Sequence, residues 1–279
     1  MTKNLRIVVL AKQVPDTRHV GKNAMTPEGT VNRAALPAIF NPEDMNALEQ
    51  ALRIKDQRPG TKVILLTMGP SRAAEIIREG LFRGADDGIL LTDRKFAGAD
   101  TLATSYAISQ AVKELKADIV IAGRQAIDGD TAQVGPQVAE KLNIPQVTYA
   151  EEILEVTDDK LVIKRRLERG IEIVSAPVPV LVTVHATAAP CRPRNAKFVM
   201  KYKKAKALSE DASATMTVTE WGVNNIGGDE NFYGLSGSPT KVKKVENIVF
   251  QAKEAKKLTA SDEDIDSLIS ELISNHTIG

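Results

Sequence analysis

Short apolar runs alternate with amphipathic segments along the first 145 residues of the chain. The apolar runs lie at residues 7–11, 63–67, 89–91 and 119–122, and each is almost free of polar positions. Such runs are typical of strands that are buried on both faces of a parallel sheet. The segments between them carry apolar residues three and four positions apart, as helices with one buried face do. We therefore predict an α/β fold with a doubly wound, mostly parallel and Rossmann-like sheet between layers of helices.

Helix starts are marked by capping residues. Asn41 is predicted to cap a helix whose first position is Pro42, and Asp100 is predicted to cap a helix that runs to about residue 115. Asp130 is predicted to cap the helix after the fourth strand, with Gln133 completing a capping box. Asn41 and Asp100 are interpreted either as plain caps or as caps that also contact a ligand.

The pattern changes after residue 145. Residues 161–167 and 171–174 are predicted strands joined by a hairpin turn at Gly170, and another strand follows at residues 178–184. We predict a nucleotide-binding α/β domain over residues 1–190, with these strands added to its sheet, and an extension over residues 191–279. The extension has few core residues, so we expect it to lie against its own sheet or against another subunit.

The last predicted element is a helix that begins at Ser261, where Asp264 follows at the third position. Its apolar residues recur at helical spacing and form a single stripe, which comprises Ile265, Leu268, Ile269, Leu272 and Ile273. Such a stripe is expected to be covered. The sequence leaves open whether this chain or a partner covers it.

Candidate chemistry is concentrated between residues 122 and 136, where a strand end is followed by Gly123, small polar residues, Gly129 and a helix start. This geometry can bind a phosphate or pyrophosphate on backbone N–H groups, although it also occurs in ordinary strand–turn–helix corners. Lys12 and Met68 lie at other strand ends, and ligands of open α/β sheets bind outside the carboxyl ends of the strands. The convergence of these segments favours a nucleotide crevice. No G-x-G-x-x-G or P-loop motif is present, which disfavours an ordinary dehydrogenase or NTPase.

Composition narrows the function further. The chain has 37 basic and 36 acidic residues and only 4% aromatic residues, so neither nucleic-acid binding nor attraction to a membrane surface is expected. Its one cysteine, Cys191, excludes an internal disulfide and indicates a reducing compartment, which we take to be the cytoplasm. We predict neither a signal peptide nor membrane insertion, because no apolar run is long enough.

Several motifs in order resemble the beta subunit of electron transfer flavoprotein. They cover most of the first 200 residues and comprise 12–16 (KQVPD), 41–44 (NPED), 68–70 (MGP), 84–86 (GAD), 123–130 (GRQAIDGD) and 179–183 (PVLVT). The resemblance implies a heterodimer with a flavin-carrying alpha subunit that serves an acyl-CoA dehydrogenase-like flavoenzyme. It also implies that the crevice holds an adenine nucleotide.

Three variant motifs are similar to those of the electron-bifurcating branch: 14–17 (VPDT), 96–101 (FAGADT) and 128–136 (DGDTAQVGP). In that branch the nucleotide is a second FAD and NADH is the electron donor, so the resemblance implies an NADH-dependent flavin oxidoreductase within a larger complex. One electron would pass to the alpha-subunit FAD and the other to ferredoxin or flavodoxin. The alternative is a non-bifurcating beta subunit that holds structural AMP. A free-standing nucleotide-sensing domain is a third hypothesis.

The resemblance implies cofactor binding but neither a catalytic side chain nor a metal. Arg124 is either a charge near the cofactor or part of a surface ion pair. The residues implied to bind the nucleotide are Leu10, Ala11, Lys12, Val14, Asn41, Pro42, Asp44, Met68, Gly69, Asp100, Thr101, Thr104, Ala122, Gly123, Arg124, Gln125, Asp128, Gly129, Asp130, Thr131, Ala132, Gln133 and Val134.

Overall fold

The apolar runs form the centre of a ten-stranded sheet in the computed structural model, which describes residues 3–16, 37–214, 216–240 and 255–278. Thr17, in one of the variant motifs, lies outside these ranges. The strands of the described residues are β1 (Arg6–Leu10), β2 (Gln13–Pro15), β3 (Ala38–Phe40), β4 (Lys62–Met68), β5 (Asp87–Leu91), β6 (Ile119–Gly123), β7 (Gln146–Val156), β8 (Lys160–Leu167), β9 (Gly170–Pro177), β10 (Val180–Val184), β11 (Lys206–Ala207) and β12 (Thr217–Trp221).

Helices cover both faces of this sheet. The α-helices of the described residues are α1 (Pro42–Gln57), α2 (Ala74–Arg83), α3 (Thr101–Leu115), α4 (Val134–Leu142), α5 (Ala196–Tyr202), α6 (Val223–Ile226) and α7 (Asp262–Ser274). Short 3-10 helices occupy Ser71–Ala73, Arg94–Phe96 and Glu230–Phe232. None of the described helices is both long and apolar enough to cross a membrane.

The sheet has the order β11-β12-β5-β4-β1-β6-β10-β7-β8-β9. Its strands are parallel from β11 to β7, and β8 and β9 continue it as an antiparallel hairpin. Val8 of β1 pairs with Ile64 of β4 on one side and with Val120 of β6 on the other. A separate antiparallel ribbon joins β2 and β3. The predicted α/β class with a mostly parallel sheet is therefore confirmed.

Both faces of the central strands are buried. In β1, Ile7 and Val9 belong to the core beneath α1 and α2, whereas Val8 and Leu10 belong to the core beneath α3 and α4. Successive side chains of a strand point to opposite faces, so a strand between two helical layers has to be apolar at every position. This requirement explains why β1 reads as a continuous apolar run.

The predicted helix caps have different outcomes. Asp100 caps α3, since its Oδ1 accepts hydrogen bonds from the N–H groups of Leu102 (2.9 Å) and Ala103 (3.0 Å). Asp130 was predicted to cap α4, and this is wrong: α4 has Gln133 at its N-cap position without a side-chain cap. The backbone of Asp130 is left-handed (φ 48°), and its carboxylate accepts a hydrogen bond from Gln125 Nε2 at 2.7 Å instead.

The extension returns to the sheet between residues 205 and 240. Strand β12 pairs with β5 in parallel, with Trp221 opposite Leu91. Tyr233 is buried against α3, with its ring centroid 5.1 Å from that of Tyr106. Ser238 is also buried and accepts a hydrogen bond from the N–H of Asp100 at 2.8 Å. This part of the extension thus lies against the sheet of its own chain.

Helix α7 begins as predicted, because Ser261 Oγ accepts a hydrogen bond from the N–H of Asp264 at 3.3 Å. Its apolar stripe is exposed: Ile265 is 44%, Ile269 43% and Ile273 53% accessible. The described residues of this chain therefore leave the stripe open to solvent.

Candidate functional site

A cavity of ≈ 380 Å³ opens at the carboxyl ends of β1, β4 and β6. The chain builds β4 and β5 on one side of β1 and then crosses to place β6 on the other side. The cavity therefore lies at the topological switch point, where open α/β sheets bind their ligands. Leu10, Leu66, Ile108 and Ala122 give it an apolar floor, and the segment after β6 forms a polar wall.

Most of the residues implied by the resemblance are brought together here. Those that line the cavity are Leu10, Ala11, Lys12, Asp44, Met68, Asp100, Thr101, Thr104, Ala122, Gly123, Arg124, Gln125, Gly129, Asp130, Thr131, Ala132, Gln133 and Val134. The set of implied residues leaves out five residues that line the cavity, which are Leu66, Ala99, Ile108, Ala126 and Gly135. Leu66 and Ile108 carried only a core signal in the sequence. The other three lie within the motifs at 96–101, 123–130 and 128–136, beside implied residues, and could have been found by including every residue of these motifs.

Five implied residues do not line the cavity. Val14 is buried in β2, and Gly69 directs its N–H to the carbonyl of Leu91 at 3.0 Å. Asp128 pairs with the ammonium of Lys12 at 2.7 Å. Asn41 and Pro42, at the start of α1, lie behind the cavity wall and support it from that side, as the contacts of Asn41 with the loop after β6 show.

The first turn of α1 holds the loop after β6 through its side chains. Asn41 Nδ2 donates to the carbonyl of Gln125 (2.9 Å), and Asn41 Oδ1 accepts from the N–H of Ile127 (3.2 Å). Glu43 accepts from the N–H of Gln125 at 3.0 Å. Asn41 makes no side-chain cap to its own helix, because its amide is used in these contacts with the loop.

Asp44 continues this set of contacts at the two central strand ends. Its Oδ1 accepts from the N–H of Gly123 (3.1 Å), and its Oδ2 accepts from the N–H of Lys12 (2.8 Å). Burial raises the pKa of Asp44 to about 7, although both backbone hydrogen bonds act in the opposite direction. Asp44 is thus a buried carboxyl group that titrates near neutral pH on the wall of the cavity.

Backbone donors for an anion are available at the start of α4. No described residue accepts a hydrogen bond from the N–H groups of residues 131–134. Ala132, within this run, is held at φ 52°, a conformation that is rare for alanine. Consecutive free N–H groups at a helix N-terminus form a favourable environment for phosphate oxygens.

The start of α3 offers few free donors to a ligand. The N–H groups of Leu102 and Ala103 are bound to Asp100, and Thr101 Oγ1 donates to Gln133 Oε1 at 2.8 Å. Burial acts to raise the pKa of Asp100, but hydrogen bonds from the N–H groups of Ala103, Thr240 and Leu102 keep it below its ordinary value. Asp100 therefore stays ionised, and α3 contributes the cap and the side chains of Thr101 and Thr104 to the cavity.

Arg124 is held in a fixed position on the cavity wall. Its guanidinium pairs with Glu43 at 3.0 Å and lies 5.9 Å from the ring centroid of Tyr149. The hydrogen bond with Glu43 raises the pKa of Arg124 above its ordinary value. Tyr149 itself has φ 60° at an irregularity where β7 pairs with β10. Arg124 therefore forms an ion pair with a buried glutamate and also lines the cavity, and its role as a charge near the cofactor stays a prediction.

Comparison with known proteins assigns the family. The model of the electron transfer flavoprotein domain matches residues 28–224. The chain belongs to the electron transfer flavoprotein family. An electron transfer flavoprotein subunit beta of Thermoanaerobacterium thermosaccharolyticum is 43% identical over 98% of this chain and 100% of the relative.

Two further relatives of this electron transfer flavoprotein chain are named for reductase complexes. Subunit CarD of the caffeyl-CoA reductase-Etf complex of Acetobacterium woodii is 45% identical over 85% of this chain and 86% of its own length. The acryloyl-CoA reductase electron transfer subunit gamma of Anaerotignum propionicum is 41% identical over 98% of this chain and 100% of its own length. The resemblance to beta subunits that the motifs indicated is therefore confirmed.

Proposed function

We propose that this chain is the beta subunit of a heterodimeric electron transfer flavoprotein and that its cavity holds FAD. When bound, FAD would supply the redox chemistry, namely hydride acceptance from NADH and the release of single electrons, one to the alpha-subunit FAD and one to ferredoxin or flavodoxin. The contribution of this chain is to bind the cofactor, to orient it and to set its surroundings.

The run of free N–H groups at residues 131–134 beside an apolar floor carries this proposal. The two phosphates of FAD need several donors, and a flat apolar ring system needs a surface such as that of Leu10, Leu66 and Ile108. Gly129 adds room, since a Cβ at this position would have no atom within 4 Å. The cavity residues therefore fit a dinucleotide.

Arg124 is the side chain best placed to tune a bound cofactor. Glu43 holds its guanidinium in place at 3.0 Å, and the ring centroid of Tyr149 lies 5.9 Å from it. A positioned cation beside a flavin favours the negatively charged reduced forms of the ring. No side chain of the cavity wall is required to act as an acid or base in the transfer of electrons.

The partners follow from the family and from the relatives. We propose that an alpha subunit covers the exposed stripe of α7 and that the heterodimer serves an acyl-CoA dehydrogenase-like flavoenzyme, as the caffeyl-CoA and acryloyl-CoA reductase names of two relatives suggest. The arrangement of the extension along the sheet leaves α7 available for this contact.

The flavin absorbance of the purified heterodimer tests the proposal. We expect NADH to bleach one of two flavins under anaerobic conditions. Gly129→Leu, which places a bulky side chain at a cavity-lining position where a Cβ would meet no atom, is expected to lose this bleaching, and Gly129→Ala to retain it. An NADH-insensitive spectrum for the wild-type heterodimer would rule out the proposed redox role.

A further inference from the structure

Asp44 is the buried carboxylate among the charged side chains that line the cavity, and no described cation pairs with it. The nearest candidates are already paired: Lys12 with Asp128 at 2.7 Å, and Arg124 with Glu43 at 3.0 Å. Asp44 itself is 7% exposed and lines the cavity. A buried carboxylate without a cation is costly when ionised, so the presence of Asp44 at this position requires a physical reason.

The hydrogen bonds of Asp44 indicate what it does. One carboxylate oxygen accepts from the N–H of Lys12, directly after β1, and the other from the N–H of Gly123, at the end of β6. These two strands flank the switch point, so a single side chain holds together the two halves of the cavity mouth. Gly123 makes this possible, because a Cβ there would lie 2.4 Å from Asp44 Oδ1.

We propose that Asp44 is a positioning residue that joins the ends of β1 and β6 behind the nucleotide and takes up a proton when an anionic nucleotide binds. This inference rests on the proposed function, since it requires that the cavity binds a nucleotide. The proton comes from the buffer and binds to a carboxylate oxygen, so no other reactant is needed.

The direction of the proton movement follows from two effects. A nucleotide in the cavity excludes water from the exposed side of Asp44, and its phosphates bring negative charge to the same crevice. Each effect favours the neutral carboxyl group. The charged groups that face Asp44 leave this direction unchanged: Glu43 of α1 adds negative charge, while Lys12 and Arg124 stay bound to their own partners.

Calorimetry on the heterodimer freed of its dissociable nucleotide tests the proposal. FAD is titrated in two buffers of different ionisation enthalpy, and the difference in binding heat gives the number of protons taken up. We expect the wild type to take up protons on binding FAD, with the largest uptake near pH 7 to 8. The uptake should vanish about two pH units above and below this range. AMP serves as a second probe. Its phosphate monoester itself titrates near pH 6, so the proton uptake measured with Asp44→Asn is subtracted as the baseline.

Two variants separate positioning from general stability. Asp44→Asn is expected to abolish the proton uptake and to weaken FAD binding about tenfold, since an amide accepts only one of the two N–H bonds. The matched control is Glu49→Gln, which alters a buried carboxylate of the same helix that is held by Arg192 at 3.0 Å, away from the cavity. The control should keep the proton uptake and bind FAD within about twofold of the wild type.

The outcomes distinguish this inference from the proposed function. FAD binding without proton uptake, with proton release, or with the same uptake in Asp44→Asn would overturn the inference and leave the proposed function standing. If the wild type binds neither FAD nor AMP, the proposed function fails and proton uptake on binding fails with it. Hydrogen exchange of the Gly123 amide in the nucleotide-free heterodimer then decides the positioning role: faster exchange in Asp44→Asn supports it, and unchanged exchange refutes it.

Discussion

At Gly123, strand β6 approaches helix α1 so closely that no side chain fits. A Cβ would lie 2.8 Å from the backbone nitrogen of Asp44 and 2.8 Å from the carbonyl carbon of Glu43. Backbone atoms cannot turn aside as a flexible side chain can. We therefore expect Gly123→Ala to lower the free energy of unfolding by about 1–3 kcal/mol.

Urea unfolding measures this difference, and Gly129→Ala is its matched control. Gly129 lies in the same loop, but a Cβ there would meet nothing within 4 Å, so the control should stay within about 0.5 kcal/mol of the wild type. Equal effects of the two substitutions would show that the close approach between β6 and α1 does not limit stability.

Glu151 of β7 makes the stability of the sheet dependent on acid pH. It is buried, binds Arg166, and accepts a hydrogen bond from Thr187 Oγ1 at 2.6 Å. The hydrogen bond from Arg166 is the main reason why the pKa of Glu151 falls to about 2. Because the folded-state pKa lies below the unfolded one, Glu151 stabilises the fold above pH 4.5, and this contribution is lost as the pH falls toward 2.

Glu151→Gln should unfold at a lower temperature than the wild type at pH 7. The difference in unfolding temperature should narrow steadily as the pH falls from 4.5 toward 2. Thermal unfolding across that range provides the measurement, with Glu152→Gln as the control at an exposed neighbouring position. A gap of constant size at every pH would mean that the ionised carboxylate is not the stabilising group.

Residue identities predicted which residues line the cavity better than they predicted the individual contacts. Asn41 and Asp44 were recognised as important, but Asn41 was interpreted as a cap of its own helix. The structure directs its amide to a loop more than eighty positions later in the chain. Local sequence rules describe only nearby partners, so contacts of this kind become visible only when the sheet has brought distant strands together.

At the scale of elements, the strength of the sequence signal decided what could be predicted. The buried strands β1, β4, β5 and β6 were predicted because both of their faces are apolar. Strands β11 and β12 were missed, since β11 has only two residues and β12 alternates buried and exposed positions among polar neighbours. Their place beside β5 depends on tertiary pairing rather than on a pattern of their own.

Helix α7 presents the opposite case, a clear pattern whose partner is absent from the described chain. The proposed heterodimer explains its exposed stripe as a contact with the alpha subunit. Placing a charge in the stripe with Ile269→Lys is therefore expected to weaken assembly about tenfold or more, because a buried lysine would lack a partner.

Co-expression of both subunits, followed by measurement of the dissociation constant, tests this role of α7. Ser267→Lys is the matched control, since it adds the same charge on the opposite, polar face of the helix. Assembly should be unaffected in the control. If Ile269→Lys assembles as well as the wild type, the stripe does not contact the alpha subunit.

For the whole molecule, the switch point of the sheet unites the fold with the proposed function. Strands β1 and β6 place the cavity, the first turn of α1 fixes the loop that walls it, and the start of α4 supplies free N–H groups. The extension braces α3 through Ser238 and Thr240, which bind Asp100. The cavity is thus supported from both helical layers, as a tightly bound cofactor requires.

The nucleotide content of the purified heterodimer tests most directly whether this cavity holds FAD. Denaturation, chromatography and quantification give the moles of FAD and AMP per heterodimer. We predict two FAD and no AMP for the wild type, and a single FAD for Gly129→Leu, in which we expect the larger side chain to obstruct the cavity. One FAD and one AMP in the wild type would contradict the account, since the cavity would then hold a structural nucleotide and not a redox cofactor.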